Sequence, residues 1–222
     1  MFQPSKELET IFSTEAAFYR LETGGQQKLC RSLATIRRIN MQIRNANALF
    51  VLLNPGKSMP MKEKEPIPVF TGGVDPQPLV PAVPDNTMYQ LMRLMERMNW
   101  DYVKIINLTD LRTEKFEEYL ESQRFMKQHG DSRHSVFSID RRNELVDYAG
   151  NAESIIAGWG TKSAIIPAAE EAYSSLSELG NVKGHSYKSL PLFYHPFPWL
   201  QHKCVKWLDD MEEQLKSTME AV

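Results

Sequence analysis

The stretch Ala48-Leu49-Phe50-Val51-Leu52-Leu53 runs without a polar residue into Asn54-Pro55-Gly56. Six apolar residues ended at once by turn chemistry constrain this fold more than any other part of the chain. A strand built from them is buried on both faces, and such strands belong to parallel sheets covered by helices. Pro55 fixes its own φ and biases Asn54 away from the α region, while Gly56 admits a positive φ or a close backbone approach. The chain thereby sets one neutral amide, with an acceptor oxygen and two N–H donors, at the C-terminal lip of a central strand. Asn-Pro and Pro-Gly are also ordinary turn pairs, so the other strand ends must decide what the amide is for.

Alternation of strands and helices supplies those ends. Tyr102-Val103-Lys104-Ile105-Ile106 reads as a second strand running into Asn107. Ser154 to Gly158 reads as a third, ending in Trp159-Gly160, and Leu190 to Tyr194 as a fourth, ending in His195-Pro196. Between them, Asp85-Asn86-Thr87 caps a helix whose Met88, Leu91, Met92 and Met95 recur at i, i+3, i+4 and i+7. Further helices are expected toward Tyr148, over about 163–179 and over about 201–219. N-terminal to the first strand, 5–22 is expected to be a short helix, and 27–40 reads as helical with β-branched residues leaving the choice open. The expectation is an α/β fold: a three-layer α/β/α sandwich with a mostly parallel four-stranded central sheet. It is read as one domain over 1–222, with 1–47 as an N-terminal extension packed on it. Residues 57–84 form a long Pro-rich loop hanging from Asn54, of a length usually reserved for lids and binding loops.

Charge and composition exclude some roles. The net charge of −2 and a pI near 6.2 argue against a non-specific nucleic-acid coat protein, which would be basic. Basic residues still gather at Arg31, Arg37, Arg38 and Arg44, and at Lys57, Lys62 and Lys64. No apolar run approaches the roughly 18 residues of a membrane span, and the first residues lack an apolar leader segment. Cys30 and Cys204 are far apart and make no metal or redox motif. His129, Asp131 and His134 lack a fourth ligand. The chain is expected to be cytoplasmic and monomeric, without membrane, metal or cofactor.

In an open parallel sheet all C-terminal strand ends share one edge, where ligands bind. Here that edge carries Asn54, Asn107, Trp159 and His195: two amides, an indole and an imidazole. There is no Gly-rich phosphate loop and no Ser-His-Asp order. The set suits hydrogen-bond recognition and stabilisation of a developing anion rather than strong nucleophilic attack.

The residues around these ends resemble a known family. Leu53-Asn54-Pro55-Gly56 looks like the first motif of the mismatch-specific and thymine branch of the uracil-DNA glycosylase superfamily, and Asp85-Asn86-Thr87 resembles the start of its following helix. Ile106 to Thr113 is similar to that branch's second-strand segment. Ile155 to Ala164 and His195-Pro196-Phe197-Pro198-Trp199 resemble the Trp-Gly and histidine-proline segments of the uracil-specific branch. The plan is also similar to that of a large uncharacterised bacterial family.

The resemblance implies a uracil-DNA-glycosylase-like fold and a monofunctional DNA glycosylase acting on a flipped-out base. Asn54 would position water and His195 would donate to a carbonyl oxygen of the leaving base. Pro55, Gly56, Asn86, Asn107, Trp159 and Gly160 would bind the substrate. Lys57, Lys162, Phe197, Trp199 and Leu200 would contact DNA, with Trp199 or Leu200 filling the vacated stack. Gly56 stands where the uracil-specific branch has an aromatic residue closing the pocket. A C5-substituted pyrimidine would therefore fit, including hydroxymethylated or glucosylated cytosine of phage DNA, in repair or defence. A nucleoside or nucleotide hydrolase and a non-catalytic nucleic-acid-binding module are the alternatives.

Overall fold

The computed structural model describes residues 2–42, 45–62 and 66–219. Arg44 and Lys64, two of the basic positions, lie outside them. The main elements in chain order are α1 (Ser5–Ile11), β1 (Phe12–Thr23), β2 (Gln26–Arg38), β3 (Ala48–Leu52), β4 (Val69–Phe70), β5 (Val80–Pro81), α2 (Asn86–Met98), β6 (Tyr102–Asn107), α3 (Phe116–Gln128), α4 (Arg142–Ala149), β7 (Ile155–Ala157), α5 (Ile166–Ser177), β8 (Val182–Lys183) and α6 (Gln201–Met219). The strands form one mixed sheet of order β4-β1-β2-β6-β3-β7-β8, with β5 pairing to β1.

The apolar run is the centre of that sheet. β3 pairs in parallel with β6 on one side and with β7 on the other, and β7 pairs in parallel with β8. Its side chains alternate between two cores. Ala48, Phe50 and Leu52 join α1, α2 and α6 through Leu8, Leu91, Met95, Leu208 and Met211. Leu49 and Val51 join α3, α4 and α5 through Tyr119, Leu145, Ala169, Ala172 and Leu176. Helices cover both faces, so the α/β reading holds, with a sheet that is wider and more mixed than four parallel strands.

The N-terminal region corrects the reading most. Only Ser5–Ile11 is helical; Phe12 to Arg38 form a long antiparallel hairpin whose second strand pairs with β6. Thr23 pairs with Gln26, leaving Gly24 and Gly25 as a two-residue loop with φ of +55° and +73°. Positive φ at both central residues matches the right-handed twist of the strands, so Gly24-Gly25 is a hairpin signal between segments both expected to be helical. Period-two burial in β1 is plain on either side of residues 17 and 18, where the register shifts. Opposite that shift Ser32 is the extra residue, and Cys30, Arg31 and Ser32 are buried in succession. A bulge of this kind destroys the alternation that identifies a strand.

Two further corrections concern the fourth strand and the Pro-rich loop. Leu190 to Tyr194 is not a strand; Phe193 makes isolated bridges to Gly160 and Ser186, and β8 takes the place beside β7. Pro191 removes a ladder donor from the run, which argues against strand. The Pro-rich segment runs along the outer edge of β1: Val69 and Phe70 pair with Arg20 and Leu21, and Pro81 and Val80 with Glu15 and Ala16. Arg133 ties its middle by donating to Thr71 O at 2.7 Å and Gly72 O at 2.5 Å. It covers an edge that would otherwise present unpaired backbone.

Candidate active site

Backbone hydrogen bonds gather the strand ends. Leu108 N–H donates to Leu52 O at 2.8 Å, Thr109 N–H to Leu53 O at 3.3 Å, and Gly158 N–H to Val51 O at 2.9 Å. A Cβ on Gly158 would sit 2.9 Å from Pro196 Cδ and 3.3 Å from Leu52 Cδ2. Glycine at this point lets the His195-Pro196 turn close against the sheet, bringing the imidazole to the ends of β3 and β7.

Asn54 is oriented by its neighbours. Its Nδ2 donates to Thr113 O and to Thr113 Oγ1, both at 2.7 Å. A backbone carbonyl can only accept, so the NH2 must face Thr113 and the amide cannot be flipped. Oδ1 has no hydrogen-bond partner among the described residues and is left as an outward acceptor. His195 is oriented in the opposite sense. The Phe197 N–H donates to its Nδ1 at 3.2 Å, which places the proton of the neutral ring on Nε2. Burial lowers the His195 pKa, against the opposing effects of the Phe197 backbone contact and the Asp85 carboxylate. The site thus combines a fixed acceptor with a neutral donor.

Two charged residues that sequence reasoning passed over belong here. Asp85 caps α2, its Oδ1 accepting from Met88 N–H at 2.9 Å. Its Oδ2 lies 4.0 Å from where a Cβ on Gly56 would stand, beside the first root of the Pro-rich segment. Asn86, the residue expected to bind substrate, is exposed on the first turn, and the carboxylate next to it faces inward instead. Arg31 comes from β2, through the bulge, and is 3% exposed. Its Nη2 donates to Asn107 Oδ1 at 2.8 Å. Asn107 is fully buried, and its Nδ2 and Arg31 Nε have no hydrogen-bond partner among the described residues. Burial pulls the Arg31 pKa down to about 10, with Asp85 and Asp110 opposing, so the guanidinium stays charged at neutral pH. A charged residue between the apolar positions Leu29, Cys30, Leu33 and Ala34 was the available signal for Arg31, hidden by the helical assignment.

Other expected site residues are placed differently. Trp159 is buried, meets Phe193 edge-on with ring centroids 5.3 Å apart, and donates its N–H to Pro191 O at 2.8 Å. It is 1% exposed and its only donor is used, so it is a core residue. Gly160 has φ +104° and donates its backbone N–H to Phe193 O at 2.9 Å, supporting the turn. Pro55 is buried. Gly56 has φ +60°, a backbone reason for glycine independent of any pocket, yet among the described residues only Asp85 lies within 4 Å of its missing Cβ. Lys57 is exposed and paired with Glu114 at 3.0 Å, and Lys162 stands 4.7 Å over the Phe116 ring. Phe197 is half-buried, whereas Trp199 is 87% and Leu200 52% exposed, with Trp199 held at φ +64°.

His129, Asp131 and His134 have separate partners. His129 Nδ1 is 2.9 Å from Phe125 O, Asp131 binds Arg133 and Thr23, and His134 Nδ1 is 2.8 Å from Thr109 Oγ1. Asp131 and His134 line a groove of about 530 Å³ between α3 and the start of α5, which contains none of the strand-end groups. Thr109 Oγ1 also accepts from Leu111 N–H, so its hydroxyl hydrogen is free for the neutral His134 ring. Burial drives the His134 pKa down to about 4. Because the folded pKa lies below the unfolded one, stability is present above about pH 6.5 and is lost as pH falls toward 4. The loss is about 3 kcal/mol on the linkage relation. Thermal unfolding followed between pH 4.5 and 7.5 should show this slope, and His134→Gln should flatten it. An unchanged slope in the variant would assign the loss elsewhere.

No curated protein and no solved structure matches the chain. A family model described as "Protein of unknown function (DUF1643)" matches residues 35–196, a span that holds Asn54, Asp85, Asn107, Thr113 and His195, and the chain therefore belongs to the DUF1643 family.

Proposed function

We propose that this protein is a DNA glycosylase that hydrolyses the N-glycosidic bond of a pyrimidine nucleotide flipped out of DNA, on a uracil-DNA-glycosylase-like version of the α/β fold. The observation that carries the reading is the opposite orientation of two neutral groups on one sheet edge. Asn54 offers only its oxygen and His195 offers Nε2–H. Cleavage passes through an oxocarbenium-like sugar while negative charge grows on the departing base. Asn54 Oδ1 would hold the attacking water by accepting from it. The Asp85 carboxylate, whose Oδ2 faces Gly56 and has no hydrogen-bond partner among the described residues, would favour the cationic sugar and take the water's proton. His195 would donate to a base carbonyl, the kind of contact worth about 3 kcal/mol when aimed at developing charge. These roles require no metal or cofactor.

The exposed Trp199-Leu200 tip favours duplex DNA over a free nucleoside. An indole 87% in solvent at a positive φ, with the Phe197 ring 6.3 Å away between centroids, adds little to the core, and a side chain inserted into a base stack needs that exposure. The open space between Gly56 and Asp85 fits a C5 substituent on a uracil or cytosine, which would connect the activity to repair or to defence against phage with modified DNA. Because Gly56 has a positive φ, the pocket is better probed by varying the substrate than by filling it.

Duplexes bearing uracil, thymine mismatches and C5-modified cytosines, treated with the protein and then cleaved at abasic sites, test the proposal. Base release that disappears in Asn54→Ala and His195→Ala is the expected result. Release from free nucleosides alone would replace it with a nucleoside hydrolase, and binding without release with a nucleic-acid-binding module. Trp199→Ala should leave the melting temperature within a degree or two while weakening duplex binding at least tenfold, about 1.4 kcal/mol. Unchanged binding would remove Trp199 from the interface.

A further inference from the structure

We infer that Arg31 is a positioning residue for the leaving base, fixing the Asn107 amide and placing a permanent positive charge beneath it. The inference rests on the proposed glycosylase reading. The first observation is the hydrogen bond from Arg31 Nη2 to Asn107 Oδ1 at 2.8 Å. It commits the amide oxygen to the guanidinium and leaves Nδ2 as the free end. The second is that Asn107 Nδ2 and Arg31 Nε are both buried and have no hydrogen-bond partner among the described residues. Buried donors without partners are rare in folded proteins and costly to keep. Two on side chains that are hydrogen-bonded to each other, with Asn107 at the end of the strand beside β3, point to a ligand that brings acceptors. The third is the bulge at Ser32, which breaks the β1–β2 register and buries three consecutive residues so that Arg31 meets Asn107. Bulges are over-represented beside active sites because they re-aim a side chain.

Chemically, the C1′–N1 bond breaks with its electron pair going to the base. Water oxygen bonds to C1′, and its proton passes to Asp85 or to solvent. Arg31 keeps its proton throughout. Its charge, surrounded by protein rather than water, stabilises the base anion through the Asn107 amide. Arg31 lies outside residues 35–196, so the N-terminal hairpin supplies a group that the matched family span does not contain.

Single-turnover release from duplexes carrying uracil or 5-fluorouracil tests the role, since the fluorinated base forms a more stable anion and needs less help. Wild type, Arg31→Lys and Arg31→Met are compared, with thermal unfolding of each. Arg31→Met should lose about 10²-fold on uracil and clearly less on 5-fluorouracil, with Arg31→Lys recovering part of the uracil rate. Arg31→Lys carries the comparison if the methionine variant does not fold. Equal losses on both bases, or no loss on either, overturn the inference and leave the glycosylase reading standing. A wild type that releases neither base overturns it too, and the wider substrate panel then decides the parent proposal separately.

Discussion

Arg141→Met is expected to destabilise the fold by about 3–5 kcal/mol, the cost of leaving buried carboxylates without their partner. Arg141 has a side chain 4% exposed and binds Asp110 Oδ2 through Nη1 at 2.5 Å. Its Nε and Nη2 also hold both oxygens of Glu144, at 2.7 and 2.8 Å. Tyr19 donates to Asp110 at 2.7 Å and Tyr148 to Glu144 at 2.6 Å, so one guanidinium joins β1, the segment after β6 and α4. Burial raises the Asp110 pKa, and Arg141 is the chief opposing influence. Without it the acid is driven toward its neutral form inside the core.

The network also supports the site, because Arg31 N–H donates to the Asp110 carbonyl at 2.9 Å. At 2–4 °C per kcal/mol for a chain of this size, the melting temperature should fall by roughly 10 °C. Adding Asp110→Asn should restore part of the loss, since the two sites are coupled. A fall below about 3 °C for Arg141→Met alone would mean the carboxylates find other partners and the network is dispensable.

The parts of the fold that could be read directly were those whose pattern is local. β3 declared itself by six apolar residues before Asn-Pro-Gly, and α2 by its methionine and leucine spacing behind an Asp cap. β6, β7, α5 and α6 followed from similar runs. The hairpin was illegible because its bulge interrupts the period of two, and Leu29, Leu33 and Ile36 then mimic helical spacing. Its stability comes from pairing with β6, a contact between residues far apart in sequence, which can override weak local preference.

The candidate site divides in the same way. Asn54, Asn107 and His195 could be found because each follows a strand or its imitation. Arg31 and Asp85 could not, since one required the hairpin and the other looked complete as a helix cap. Trp159 was assigned to the crevice by its position in the chain, and only the contact with Pro191 shows where its donor goes.

On the proposed glycosylase reading, His195→Ala and Asn54→Ala are each expected to lower the base-release rate by about 10²–10³, or 3–4 kcal/mol. Their pH profiles should identify the kind of donor involved. His195 has a depressed pKa and already keeps its proton on Nε2 through the Phe197 contact. Lowering pH through the folded pKa adds a second proton at Nδ1 and breaks that contact, so the neutral form occupies the range above it. The wild-type rate should then be flat from about pH 6.5 to 8.5. An imidazolium acting as the acid would instead make the rate fall about tenfold per unit above its pKa. His195→Gln, which can still offer an N–H, should retain more activity than His195→Ala at every pH. A descending limb centred near neutrality, lost in both variants, would show that the proton itself is transferred and would replace the neutral donor with a general acid.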